Sequence, residues 1–325
     1  SCIGSDDQYT IIIEGYDWGP AVNKVILPMK RKLSSPEGLR FKVDVVRKSE
    51  CEELNPEAAM GERRVTGLYV SDPKGNPVAE GNHITLELEV SPDLVLSNPF
   101  HFSSDNGCKG NSWVTYELSI VEYENGQRWS EEKDRILPLV DKFNLNQTYN
   151  FSPDLELRYA DYVPSNASPK TPLIIWLHGG GEGGVDTSVP LLANRAANYA
   201  SEEIQRFFGS AFVLVPQCPG AWMQNSEGQV TWGRDNDAYN EALMALIDNF
   251  VKENPDIDTS RIYVGGCSNG GYMSLKLLLL HPDYFAAGFI SALAYRSEYL
   301  SDEELSRIKH MPIWFIHSRD DRTTP

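Results

Sequence analysis

The sequence is short of several features that would settle its class at once. It has five cysteines (Cys2, Cys51, Cys108, Cys218 and Cys267), an odd number with wide spacing and no C-x-x-C pair. Neither a structural zinc site nor a thioredoxin-type redox motif is indicated. Cys51 and Cys108 share the first half and are free to pair, but nothing in the sequence requires it. No apolar run approaches 18 residues, and the longest, such as LIIWL at 173–177, are strand-sized, so no membrane-spanning helix is expected. Basic charge is scarce as well. Residues 1–145 carry 16 Lys+Arg against 24 Asp+Glu, and residues 146–325 carry 13 against 22. No basic stripe survives in either half, which argues against nucleic acid or an anionic membrane as a partner. The plain reading of the charge is a solvated acidic surface. No Asp/His cluster has metal-ligand spacing, so neither metal nor cofactor is expected.

What is present suits two folded domains. The 325 residues are 41% hydrophobic and 10% aromatic, too long for one typical domain and rich enough for real cores. The opening SCIGSDD resembles the mature end of a bacterial lipoprotein, in which a cysteine carries the lipid ahead of a short polar tether. That resemblance implies a lipid anchor at Cys2, a tether over residues 1–7 and a secreted or cell-surface location. The alternative is a frayed terminus with no such role.

The next stretch, 8–143, reads as β. YTIIIEGYDWG, FKVDVV (41–46), RVTGLYVSD (64–72), HITLELEV (83–90) and WVTYELSIV (113–121) are β-branched or alternating runs, separated by turn clusters such as DPKGNP and SSDNG. This spacing, with no convincing helix between, predicts an antiparallel sandwich, by default a rigid spacer or packing partner. A polar segment around DKFNLNQTYNFSPD (141–154) marks the boundary. From 144 to 325 strands alternate with helices: strands at 173–178, 211–217, 261–266 and 313–318, and helices over 189–208, 236–254 and 270–281. That alternation predicts an α/β domain with a mostly parallel sheet covered on both faces.

Gly266-Cys267-Ser268-Asn269-Gly270 is a G-x-S-x-G, weak alone but placed here between a strand and a helix. Such a turn strains the serine and exposes its hydroxyl, and glycines two residues either side relieve crowding. Ser268 is therefore the candidate nucleophile, with a helix N-cap serine as the alternative. Cys267 occupies the position that packs between sheet and helix, where a buried thiol is inert. The glycine-rich LHGGGEGG (177–184) follows the first strong strand, where backbone N–H groups can meet an oxyanion. Gly180 or Gly181 is the candidate donor there, and the Asn269 N–H the second. No G-K-[ST] follows the glycines, which disfavours a phosphate loop. Gln217, Trp222 and Trp232 follow strand ends where loops would build a substrate pocket, with ordinary packing as the alternative.

At this point LELRYADYVPSN (155–166), PLIIWLHGGGEGG (172–184), VPQCPGAWM (215–223), YVGGCSNGGYM (263–273) and PIWFIHSRDD (312–321) together resemble the α/β-hydrolases. Within them, they resemble the prolyl-oligopeptidase-type esterases that carry an N-terminal immunoglobulin-like domain. The resemblance implies a serine carboxylic ester hydrolase, acting through an acyl-enzyme on acetyl or feruloyl esters of polysaccharides. It implies that the triad acid falls on Asp321, with Asp320 as the close rival. It also implies a histidine after the acid, and none follows Asp321 in the sequence. His83 and His101 lie in the β half. His281 closes the elbow helix roughly 20 Å from Ser268. His310 and His317 flank the last strand, and His178 is expected to brace the glycine loop. The histidine is accordingly expected beyond Pro325, the hydrolase domain being C-terminally incomplete. Two rivals stay open: a serine peptidase of the prolyl-oligopeptidase type, and a non-catalytic binding protein on a hydrolase scaffold.

Overall fold

The computed structural model describes residues 7–105 and 107–323. The chain divides into two compact units, Ser1–Asp141 and Lys142–Pro325. Cys2 and most of the expected tether lie outside the described residues.

The first unit is a two-sheet sandwich. Its strands are β1 (Gln8–Tyr16), β2 (Gly19–Leu33), β3 (Phe41–Lys48), β4 (Met60–Arg63), β5 (Val65–Ser71), β6 (Gly81–Leu88), β7 (Phe100–Ser103), β8 (Gly110–Trp113), β9 (Thr115–Glu122), β10 (Arg128–Trp129) and β11 (Glu131–Ile136). A short helix, α1 (Pro56–Ala59), precedes β4. One sheet runs β11-β1-β2-β6-β5 and the other β10-β9-β3-β4, with β7-β8 as a separate hairpin. Alternation does what the period of two requires: Phe41, Val43 and Val45 of β3 and Tyr116, Leu118 and Ile120 of β9 point into the core. The sandwich is not wholly antiparallel, because β1 pairs β11 in parallel. β2 is a fifteen-residue strand that sequence patterning does not suggest. Its Pro20 sits at the strand start, and Pro28 falls where the ladder with β6 shifts register, places where a missing N–H is tolerated.

Two buried guanidiniums tie the sandwich together. Arg47 donates to Asn98 O, Ala58 O and Phe100 O, while Arg63 donates to Val22 O, Glu89 O and the Tyr116 hydroxyl. Each replaces its lost water with fixed carbonyls, without which burying the charge would be prohibitive. Cys51 and Cys108 are joined, with Cα atoms 5.7 Å apart across a separation of 57 residues.

The second unit is an α/β layer structure. Its seven-stranded sheet runs β12 (Asn144–Ser152), β13 (Leu155–Tyr162), β15 (Phe212–Gln217), β14 (Thr171–Leu177), β16 (Ile257–Cys267), β17 (Ala287–Ser291) and β18 (Ile313–Ile316). The pairings from β15 through β18 are parallel, whereas β12 and β13 are antiparallel. Every residue of β14 and β15 is buried, which explains their unbroken apolar sequences. The helices are α2 (Ser188–Ala193), α3 (Glu202–Phe208), α4 (Asn240–Glu253), α5 (Asn269–Leu280) and α6 (Asp302–Arg307). The single helix expected over 189–208 is broken. Arg195 adopts φ 54°, a 3-10 turn spans Ala196–Ala200, and Ser201 starts α3 afresh by accepting from the Ile204 N–H. The expected boundary segment 141–154 is largely strand β12, an edge strand whose exposed residues remove the apolar signal.

Cys51→Ser with Cys108→Ser is expected to destabilise the first unit by about 2–4 kcal/mol, since a loop of this length restrains the unfolded chain most. Urea unfolding of the intact protein, with and without the pair, measures it.

Candidate active site

β16 lies between β14 and β17, with Leu177 opposite Gly266 and Ser291 opposite Cys267 at the carboxyl ends. The chain turns there from strand into α5 within one residue. Ser268 takes φ 55° and ψ −112°, a strained conformation for a side chain with a Cβ, costing about 1–3 kcal/mol. Its N–H donates to Ser291 O at 2.9 Å, and its carbonyl accepts from Tyr272 N–H at 2.9 Å, so the strain is held from both sides. The glycines have a steric reason. A Cβ on Gly266 would lie 2.5 Å from Leu177 O, and one on Gly270 would overlap the carbonyls of Leu177 and His178. Ser268 occupies the N-cap position of α5 yet makes no side-chain cap bond, and it is half-buried. Its hydroxyl is thus not spent on capping the helix end.

Around this serine the glycine loop is pinned by His178. The ring is fully buried, and its Nε2 accepts from the Cys218 N–H at 2.9 Å. The proton must then sit on Nδ1, which donates to Gly179 O at 2.6 Å. Burial holds the imidazole down at about 4, so it is neutral at ordinary pH with both nitrogens engaged. It braces, as expected, and is not free to act as a base. Gly184 N–H donates to Cys218 O at 2.8 Å, a second tie between this loop and the end of β15.

Gly180 stands across from Asn269, a Cβ on it falling 3.9 Å from the Asn269 Cβ. Asn269 is the first residue of α5, so its N–H has no intrahelical partner and lies at the positive end of the helix. Gly180 is exposed and Gly181 half-buried. The Asn269 side chain has a separate task, its Oδ1 accepting from Trp222 N–H at 2.6 Å and Met223 N–H at 3.2 Å. One residue therefore presents a backbone donor and ties down the loop after β15, a role that nothing in the sequence pattern signals.

The expected pocket residues separate. Gln217 is buried and donates to Glu182 O and Asp186 O at 3.0 and 2.9 Å, so it fastens the glycine loop from below. Trp222 is fully buried and tilted against the His178 ring at 5.1 Å, a core residue under the loop. Both belong to packing rather than to a pocket wall. Trp232 is half-buried at φ 54°, with the Arg296 guanidinium 5.0 Å above its ring, and it holds the Arg296 N–H through its carbonyl. Beside it lies a buried network unseen in sequence: Thr231 Oγ1 and the Tyr272 hydroxyl both donate to Asp237, whose carboxyl burial pushes upward. Glu182 is buried beside Gly179.

Cys267 is half-buried rather than enclosed, yet burial raises its pKa, and the charges of Glu182 and Asp321 raise it further. Asp321 is half-buried in the loop after β18, donating its N–H to Ser318 O and accepting from the Thr323 N–H at 2.9 Å, whereas Asp320 is exposed. Among the described residues no histidine hydrogen-bonds the Ser268 hydroxyl, and no group of His, Cys, Asp and Glu has the arrangement to hold a metal ion. Among the described residues no helix is long and apolar enough to cross a membrane.

Comparison with known proteins bears on the fold and its relatives. Residues 8–132 match the family described as the esterase Ig-like N-terminal domain, and residues 228–311 match the prolyl oligopeptidase family. The crystal structure of a thermostable esterase superposes with a TM-score of 0.78 at 25% identity, over 98% of this chain and 84% of that one. Feruloyl esterase B of Neurospora crassa is 29% identical over 150 residues, 45% of this chain and 47% of that protein. Poly(3-hydroxyalkanoate) depolymerase C of Paucimonas lemoignei is 29% identical over 150 residues, 44% of this chain and 33% of that protein. The chain thus spans less than half the length of the curated relatives it matches. An immunoglobulin-like sandwich followed by an α/β-hydrolase domain, which the sequence motifs imply, is what these matches and the fold show.

Because the His178 ring is depressed in the folded state, it favours folding above its unfolded value near 6.5, and that advantage is lost as pH falls toward about 4. A His178→Asn variant lacks this titration. Its stability deficit against the parent should shrink by about 2 kcal/mol between about pH 7 and about pH 4.5, measured by urea unfolding at both.

Proposed function

We propose that this chain, which joins an esterase Ig-like N-terminal domain to a hydrolase domain of the prolyl oligopeptidase family, is a serine esterase acting through an acyl-enzyme on Ser268. The observation that carries the reading is the elbow: a strained serine whose hydroxyl does not cap its helix, flanked by the free N–H of Asn269 and the facing Gly180. Ser268 Oγ forms the bond to the acyl carbon as the carbonyl π bond opens, and its proton passes to a histidine base. The oxygen that becomes negative is met by the Asn269 N–H and by that of Gly180 or Gly181, donors set in place before reaction. Collapse expels the alcohol, which takes the proton back, and water repeats the sequence to release the acid. Asp321 holds the base in its productive tautomer and stabilises the imidazolium.

Carboxylic esters on polysaccharides, acetyl or feruloyl, are the substrates this reading favours, supported by the similarity to feruloyl esterases of Neurospora crassa and Thermothelomyces thermophilus. Export to the cell surface or medium is supported by the Cys51–Cys108 bridge, since such bonds persist in oxidising compartments, and by the opening SCIGSDD with its candidate lipid site at Cys2. The match to the prolyl oligopeptidase family favours one second reading, a serine peptidase.

A fluorophosphonate probe is expected to add once, on Ser268, and Ser268→Ala is expected to abolish the adduct and lower aryl acetate turnover at least about 10⁴-fold with unchanged folding. Labelling elsewhere, or undiminished turnover in the variant, removes Ser268 from the reaction. A strong preference for aminoacyl-anilides over aryl acetates makes the peptidase the better reading.

A further inference from the structure

A cavity of about 660 Å³ opens in the α/β unit between α4, the end of α5 and β12. It is distinct from the elbow. Two of its lining residues, Leu280 and His281, close α5 at the end opposite Ser268, about 18 Å along the helix axis. Its wall combines two kinds of surface. Phe151 and Leu280 are exposed apolar side chains, joined by Met244 and the Tyr284 ring. Glu241 and Asp248, on the outward face of α4, add carboxylates, and Asn240 at the first position of that helix adds an amide.

Asn240 is the telling residue. It is only 5% exposed, and among the described residues neither its Nδ2 nor its Oδ1 has a hydrogen-bond partner. A buried amide left wholly unpaired costs about 1–3 kcal/mol, which a well-packed domain normally avoids. The neighbouring polar groups are already occupied: Asp237 accepts from Thr231 and Tyr272, and Asp248 pairs with Lys252 at 2.8 Å and meets the Tyr284 hydroxyl at 3.4 Å. Among the described residues no Lys or Arg lines the cavity, and the Lys252 ammonium beside it is already held by Asp248, so the wall favours a neutral ligand over an anionic one.

We propose that this cavity is a second binding site, for a neutral oligosaccharide. A pyranose offers what the wall asks for. Its C–H faces lie on aromatic and aliphatic surface, while its hydroxyls donate to carboxylates and exchange hydrogen bonds with an amide that can both donate and accept. A purely apolar ligand leaves the Asn240 amide unanswered. The site rests on these residues alone and not on the chemistry at Ser268.

The test is calorimetric titration of the intact protein with unesterified xylohexaose, cellohexaose and mannohexaose. At least one is expected to bind, with Phe151→Ala and Asn240→Leu each weakening it tenfold or more while p-nitrophenyl acetate turnover is unchanged. Asn240→Leu keeps the side-chain size and removes both unpaired atoms, so its melting temperature should hold or rise, which separates lost binding from lost folding. The proposal is overturned by heats from none of the three sugars, by binding equal in both variants, or by spermidine displacing the sugar. Absence of ester turnover in the parent protein counts against the serine esterase reading and leaves this titration unaffected.

Discussion

The close approach of two carbonyls to the start of α5 is the constraint on which the α/β unit depends. Leu177 O and His178 O end β14 where a Cβ on Gly266 or Gly270 would have to lie. That fit allows strand β16 to become a helix in one step and leaves no room for Ser268 to relax from φ 55°. Strain of this kind survives only where the surroundings over-determine it. Here the surroundings are the sheet itself, through the bond from Ser268 N–H to Ser291 O on the next strand.

The same place shows how few residues serve several ends. His178 fixes the glycine loop through one nitrogen and the end of β15 through the other, which is possible only while the ring is neutral. Asn269 offers its backbone to the site and its side chain to the 222–223 turn. Gln217 and Trp222 sit below them as fastening and filling. The preorganised donors that the proposed chemistry needs are therefore supported by a polar and aromatic layer rather than by the glycines alone.

Much of this was legible in the residues. The elbow, the glycine loop and the bracing role of His178 follow from G-x-S-x-G and HGGG falling at strand ends, because backbone geometry leaves few residue types able to stand there. What escaped did so for physical reasons. β12 is exposed along most of its length, so burial writes no apolar pattern into it. β2 carries prolines at positions where pairing starts or slips. The break between α2 and α3 depends on one left-handed arginine, Arg195, which no propensity scale singles out. Gln217 ends β15 and Trp222 lies in the loop after it, but whether a side chain there faces the mouth or the layer beneath is set by tertiary packing.

Among the described residues, the two thiols outside the bridge have a consequence for how the molecule keeps its covalent identity. Cys218 is enclosed, with its pKa pushed up to about 12 by burial, and Cys267 is raised as well. Exchange proceeds through the thiolate, and at neutral pH a thiol titrating near 12 holds that form in about one molecule in 10⁵. Once the α/β unit has folded, Cys218 has almost no thiolate with which to attack the Cys51–Cys108 bond, and Cys267 is weakened in the same direction. Oxidant and thiol buffer then act on a bridge that is kinetically insulated from both of these thiols.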